Sequence, residues 1–89
     1  MIEQSVTIKN RLGLHARAAV KFVNLANRFA SDVRIVKDDS DVDGKSILGI
    51  LTLAATQGTD IILRLDGEDE GAALQAIVEL IDGKFGEKE

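Results

Sequence analysis

The only histidine of the chain, His15, lies in the run Leu12-Gly13-Leu14-His15-Ala16-Arg17. A neutral imidazole nitrogen is a competent nucleophile near neutral pH and can attack a phosphoryl group. An alanine-rich helical pattern begins directly after it. The first amides of a helix have no intrahelical partner, and the helix dipole favours an anion there. The amides of Ala16 and Arg17 therefore fall beside the ring, with the small Ala16 leaving the backbone accessible. Arg17 adds a forked cation suited to phosphoryl oxygens. Gly13 lets the chain turn tightly before the site. Together these groups suit a phosphate held on or beside His15. The plainer reading is that His15 only caps the helix and Arg17 is a solvated charge; residue physics leaves both open. No carboxylate lies nearby in sequence to orient the imidazole, and no second histidine exists to share a metal. Triad-type hydrolysis and metal binding are therefore not expected.

A second segment invites a chemical reading: Gly44-Lys45-Ser46-Ile47-Leu48-Gly49-Ile50-Leu51-Thr52-Leu53. Gly-Lys-Ser suggests a phosphate-binding loop. That motif needs a glycine five residues before Gly44, where Asp39 stands. Ser46 is instead placed to cap a short helix running from Ile47 to about Leu53. The helix is apolar nearly all round. Ile50 and Leu53 share an inward face, and Ile47, Leu48 and Leu51 tend outward. Those three either fill a core or form a patch for a partner.

The elements that must hold these residues follow from periodicity. Residues 2–8 alternate as a strand, with Ile2, Val6 and Ile8 on one face. After the Asn10–Leu14 loop, a helix runs from about Ala16 to Arg28, with Ala19, Phe22, Val23, Ala26 and Phe29 toward the core. Val20 is the apolar exception on its polar side. Residues 32–37 form a strand with Val33 and Ile35 inward. A turn at Asp38–Ser40 leads to a short strand at Asp41–Asp43. Residues 60–66 form the last strand, with Ile61, Leu63 and Leu65 on one face. Glu68, Asp69 and Glu70 favour the start of a third helix running to Asp82. Its inward residues are Ala73, Leu74, Ile77, Leu80 and Ile81, and Gly83 is its C-terminal cap. The polar tail to Glu89 is expected to fray. The order β-α-β-β-α-β-α implies an α+β fold, a two-layer sandwich with helices on one face of the sheet.

Composition bounds the function. Eighty-nine residues suit one domain, 1–89. There is no cysteine, which excludes disulfides and thiol chemistry. No signal-peptide pattern and no membrane-length apolar run is present, so a soluble cytoplasmic protein is expected. The net charge of −4 argues against general nucleic-acid binding. Its distribution is uneven. Lys9, Arg11, Arg17, Lys21 and Arg28 fall in residues 9–28 with no acid, whereas residues 66–89 hold eight acids against Lys84 and Lys88. A basic stretch around His15 favours an anionic ligand or an acidic protein surface.

These residues resemble a known family. Leu14-His15-Ala16-Arg17 is similar to the phosphohistidine motif, and Asp43-Gly44-Lys45-Ser46-Ile47-Leu48-Gly49 to the regulatory-serine motif, of HPr, the histidine-containing phosphocarrier family of the bacterial phosphoenolpyruvate-dependent sugar phosphotransferase system. The spacing of the motifs and the element order fit as well. The resemblance implies a four-stranded antiparallel sheet covered by three helices. It implies that His15 accepts a phosphoryl group from phospho-enzyme I on the ring nitrogen nearer the backbone and passes it to a histidine of a sugar-specific enzyme IIA. Arg17 would steady the group in transit. Ser46 would be open to a dedicated ATP-dependent kinase, and Val20, Ile47, Leu48 and Leu51 would meet partners. The protein would be a monomer and a carrier in a relay rather than an enzyme, with no cofactor, no nucleic acid and no membrane insertion. Three positions depart from the family pattern. Ala18 stands where the family usually has proline, and Asn24 and Asn27 stand where many members carry lysine or other partner-facing residues.

Three other readings compete. One is the nitrogen-related branch of the same system, with the same chemistry and a regulatory output. Another is a binding module that acts through phosphorylated Ser46 while His15 is idle. The third is an enzyme such as a phosphohistidine phosphatase, for which few polar groups are available to line a pocket.

Overall fold

A computed structural model describes residues 1–89. The elements in chain order are β1 (Ile2–Thr7), α1 (Ala16–Ala26), β2 (Asp32–Lys37), β3 (Ser40–Asp43), α2 (Ile47–Thr52), β4 (Asp60–Asp66) and α3 (Glu70–Asp82), followed by a single 3₁₀ turn at Lys84–Gly86. The strands form one antiparallel sheet in the order β1-β4-β2-β3. The three helices cover one face, giving the open α+β sandwich expected from the sequence.

The register follows from the alternation. Val6 pairs with Ile61, and Ile35 with Leu63, so the inward side chains of adjacent strands meet on one face. A slip of one residue would turn that whole row to water. Against it pack Ala19, Phe22, Val23 and Ala26 of α1, Ile50 of α2, and Ala73, Ile77 and Ile81 of α3, all buried. Leu74, Leu80 and Phe29 sit at the margin of this core, half-buried. Ala18 and Leu14 are buried as well, so α1 is seated from its first turn.

Two loops are anchored by particular groups. The Asp69 carboxylate accepts from the amides of Ala30 and Ser31 and from the Ser31 hydroxyl, tying the α1–β2 connection to the start of α3. These bonds, the Ser31 hydroxyl first, hold the Asp69 carboxyl below the usual carboxylate range. Gly13, at φ +66°, lies against the backbone of Ala55 and Thr56, where no side chain fits. The Leu14 amide donates to the Ala55 carbonyl at 2.9 Å and pins the loop that precedes His15.

The structure corrects several expectations. Helix α1 ends at Ala26 rather than Arg28. The Arg28 amide already donates to the Leu25 carbonyl, the tighter i to i−3 pattern of a closing turn. Leu51 is half-buried against the core rather than turned outward. The C-terminal tail does not fray. Gly83 caps α3 at φ −83°, and the left-handed residues come next, at Lys84 (φ +57°), Phe85 (φ +56°) and Gly86 (φ +76°). Three such residues in a row fold the chain back on itself. Phe85 enters the core at 0% exposure, and Lys21 Nζ donates to its carbonyl at 2.6 Å. Burial of an aromatic ring offsets the cost of two non-glycine residues in the left-handed region.

Candidate functional site

His15 occupies the N-cap position of α1, with extended backbone, and its carbonyl accepts from the Ala19 amide at 2.9 Å. Its side chain makes no capping hydrogen bond. The plain-cap reading of the imidazole is thereby overturned: the backbone starts the helix and the ring is left for another partner.

That partner is Glu87, 72 residues away and carried in by the folded-back tail. His15 Nε2 lies 2.5 Å from Glu87 Oε2. The other oxygen, Oε1, accepts from Asn10 Nδ2 at 2.9 Å. Asn10 is fully buried, and the same Nδ2 donates to the Gly13 carbonyl at 2.8 Å. The Asn10 bond first, and then His15, hold the Glu87 carboxyl below the usual range against partial desolvation, with Lys21 adding a smaller pull. Sequence reasoning found no carboxylate to orient the ring. Glu87 supplies one, and nothing local to either residue signalled the pairing.

The tautomer follows. An ionised carboxylate can only accept. Nε2 of the neutral ring therefore carries the proton and donates it to Glu87. Nδ1, the nitrogen nearer the backbone, keeps its lone pair and has no protein partner. It is the ring nitrogen left open to a ligand.

Arg17 is exposed on the first turn of α1 and pairs with no carboxylate, so its guanidinium is available to an anion. The amides of Ala16 and Arg17 precede the first intrahelical bond, which is donated by Ala19. The Ala18 amide is likewise free of an intrahelical partner, so the usual proline at this position would lose no hydrogen bond here. A cleft of about 410 Å³ is lined by Arg11, Leu12, Arg17, Glu87, Lys88 and Glu89.

Part of the basic stretch is neutralised internally. Lys9 pairs with Asp82 at 2.7 Å and Arg11 with Glu89 at 2.8 Å, while Lys21 caps the Phe85 carbonyl. The two charge-biased ends of the sequence meet each other. Arg17 and Lys88, which line the same cleft, keep no ion-pair partner.

Ser46 sits apart, at the start of α2, and no hydrogen bond links it to the His15 cluster. Its Oγ accepts from the Gly49 amide at 3.1 Å, the expected cap. Helix α2 packs on α1. Leu48 is 77% exposed, Ile47 39% and Val20 39%, an apolar set on these two helices. Leu12, 66% exposed in the loop before His15, belongs to the same kind of surface and was missed by sequence reasoning, because loop residues carry no periodicity.

The chain is similar to known proteins along its whole length. The family model for the HPr component phosphorylation site of the phosphotransferase system matches residues 2–83. A phosphocarrier protein HPr of Neisseria meningitidis is 53% identical over 89 residues, covering all of both chains. A phosphocarrier protein NPr of Shewanella violacea is 45% identical over 86 residues, 97% of this chain and 94% of that one. Among solved structures, HPr-C-His from Thermoanaerobacter tengcongensis superposes with a TM-score of 0.96 at 45% identity, covering both chains fully. An HPr dimer from the same organism gives 0.79 at 46% identity, over 98% of this chain and 100% of that one. With the family model matched over residues 2–83 and relatives and solved structures similar over the full chain, the protein belongs to the HPr family of phosphocarriers of the phosphotransferase system.

Proposed function

We propose that residues 1–89 act as one HPr-like domain that accepts a phosphoryl group on His15 Nδ1 from phospho-enzyme I and passes it to a histidine of an enzyme IIA. The observation that carries this reading is the ring itself. It is set at a helix start, with Nε2 committed to Glu87, Nδ1 free, and the unpaired Arg17 on the adjoining turn. Arg17 steadies the phosphoryl oxygens through its forked donors, and the amides of Ala16 and Arg17 add partial positive charge. The protein is a carrier in the cytoplasm rather than an enzyme, works as a monomer, and needs no cofactor, nucleic acid or membrane. No helix is long and apolar enough to cross a membrane.

Val20, Ile47, Leu48 and the half-buried Leu51 serve as the docking surface, in keeping with the exposure of the first three. A kinase acting on Ser46 would add up to about two negative charges at the edge of this apolar set. The free amides of the helix start tolerate the phosphate, while acidic partners are repelled. Regulation through Ser46, and an output in sugar uptake and carbon catabolite control, rest on the motif resemblance and on this placement.

The NPr relative favours one alternative, a carrier of the nitrogen-related branch. The phosphorylated protein, offered separately to sugar-specific and nitrogen-branch enzymes IIA, should transfer faster to its true acceptor. Phosphosite mapping after phosphoenolpyruvate plus enzyme I, and separately after ATP plus cell extract, tests both sites. His15 should appear in the first and Ser46 in the second. Phosphate on neither residue would sink the proposal.

A further inference from the structure

The Asn10–Glu87–His15 chain has a fixed polarity. Asn10 Nδ2 faces two acceptors, the Gly13 carbonyl at 2.8 Å and Glu87 Oε1 at 2.9 Å. A backbone carbonyl cannot donate, so the Asn10 amide cannot flip without setting oxygen against oxygen. It is buried at 0% exposure, where water cannot repair such a clash. Asn10 therefore presents a donor to position 87. Whatever stands at 87 must answer with an acceptor on that side, and Glu87 has a second acceptor, Oε2, left for His15 Nε2 at 2.5 Å. The tail that brings Glu87 here is held by the buried Phe85, whose carbonyl takes the Lys21 ammonium.

We propose that Glu87, aimed by Asn10 and delivered by the C-terminal fold-back, is a positioning residue for phosphoryl transfer, which locks the ring in the Nε2–H form and balances the charge it gains. The proposal rests on His15 being the phosphoryl acceptor. In the step, the Nδ1 lone pair forms the new N–P bond. The bond from phosphorus to the donor atom breaks, and its electron pair leaves with the donor. The ring keeps its Nε2 proton and becomes a phosphoimidazolium, one positive charge richer than before. The Glu87 carboxylate already sits against that proton, so the charge develops beside a preplaced counter-ion. Release to the next acceptor reverses these changes.

The fixed polarity makes an unusual forecast for the near-isosteric variant Glu87→Gln. The introduced amide oxygen must face Asn10 Nδ2, which leaves the introduced amide nitrogen, a donor, facing His15 Nε2. Nε2 must then accept, and the ring proton moves to Nδ1, where it blocks the nucleophile. Glu87→Ala leaves Nε2 to water, which accepts without imposing the wrong tautomer. The conservative variant is thus the more harmful one. Wrong-tautomer and outer-partner losses in histidine sites suggest about a 10- to 100-fold fall in phosphorylation rate for Glu87→Gln, and less than about tenfold for Glu87→Ala.

The test uses the full chain, with ¹⁵N spectroscopy of the neutral His15 ring and initial rates of phosphorylation by phosphoenolpyruvate and enzyme I. Expected are Nε2–H in the wild type, Nδ1–H in Glu87→Gln with the larger rate loss, and partial recovery of both in the double variant Asn10→Ala/Glu87→Gln, where the introduced glutamine is free to turn its oxygen to the ring. Nε2–H retained in Glu87→Gln at the wild-type rate would overturn the proposal. So would equal losses in Glu87→Gln and Glu87→Ala. If the double variant does not fold, the two single variants still decide. A wild type that takes no phosphate would instead remove the carrier reading, while the spectra would still judge the tautomer lock.

Discussion

Truncation of Phe85 to alanine measures how firmly the C-terminal tail is built into the protein. Phe85 is fully buried, and both it and Lys84 sit at left-handed φ. A buried aromatic ring hides about 150–200 Å² of mostly apolar surface, worth about 4 kcal/mol at about 25 cal/mol per Å². If the tail stayed seated over a void, the measured range for such truncations is about 3–5 kcal/mol. A terminal segment can also peel away, which limits the loss by releasing the left-handed strain at Lys84 and position 85, about 1 kcal/mol or more. A destabilisation of about 3 kcal/mol is therefore expected, a large part of the stability of a domain this small. It corresponds to a fall in Tm of about 12 °C or more. The chain has no Trp or Tyr, so urea and thermal unfolding are best followed by far-ultraviolet circular dichroism. Glu87→Ala, which leaves the ring of Phe85 in place, should cost less than about 1 kcal/mol, in line with a partly exposed pair. Phe85→Ala with a loss below about 1 kcal/mol would refute the claim that the tail is part of the core.

Other expectations concern caps, strain and acid. Ser46→Ala removes the acceptor of the Gly49 amide and should cost about 1 kcal/mol in urea unfolding, whereas Ser46→Asp keeps a cap and should leave stability nearly unchanged while slowing phosphorylation by enzyme I. Ala54 is exposed and held at φ +50° just after α2, so Ala54→Gly should raise stability by about 0.5–1 kcal/mol, read as a higher urea midpoint at unchanged slope. The carboxyls of Asp69 and Glu87 are both held below their ordinary range. The stability they contribute is complete above that range and is lost as pH falls through their lowered values. The tail should stay seated until the Glu87 carboxylate itself takes a proton. Hydrogen exchange around Phe85 should report that loss in the wild type, and Glu87→Gln should show a flatter dependence.

The sheet and helices were legible because their signals are local. The alternation in Ile61-Ile62-Leu63-Arg64-Leu65 and the spacing of Ala19, Phe22, Val23 and Ala26 state which face is inward, and burial agrees. Ser46 before an apolar run announced a cap that the Gly49 amide fills. His15 and Arg17 were legible for the same reason, since the helix start that holds them is written in adjacent residues. Glu87 and Asn10 were not, because their meeting depends on a tail that folds back through left-handed Lys84 and Phe85, residue types that do not advertise that conformation. The same blindness made the tail look frayed. Polar composition at a terminus describes the side chains facing water and says nothing of the one phenylalanine beneath them. Leu51 was misplaced because a short helix that is apolar all round gives periodicity nothing to choose between.

His15 Nδ1 is the proposed carrier atom of the phosphoryl group. Incubation of the full chain with phosphoenolpyruvate and enzyme I, followed by ³¹P spectroscopy, tests it directly. One acid-labile phosphate per chain is expected, bonded to Nδ1 of His15 and absent from His15→Ala. A normal yield on His15→Ala, or phosphate found on Nε2, would contradict it.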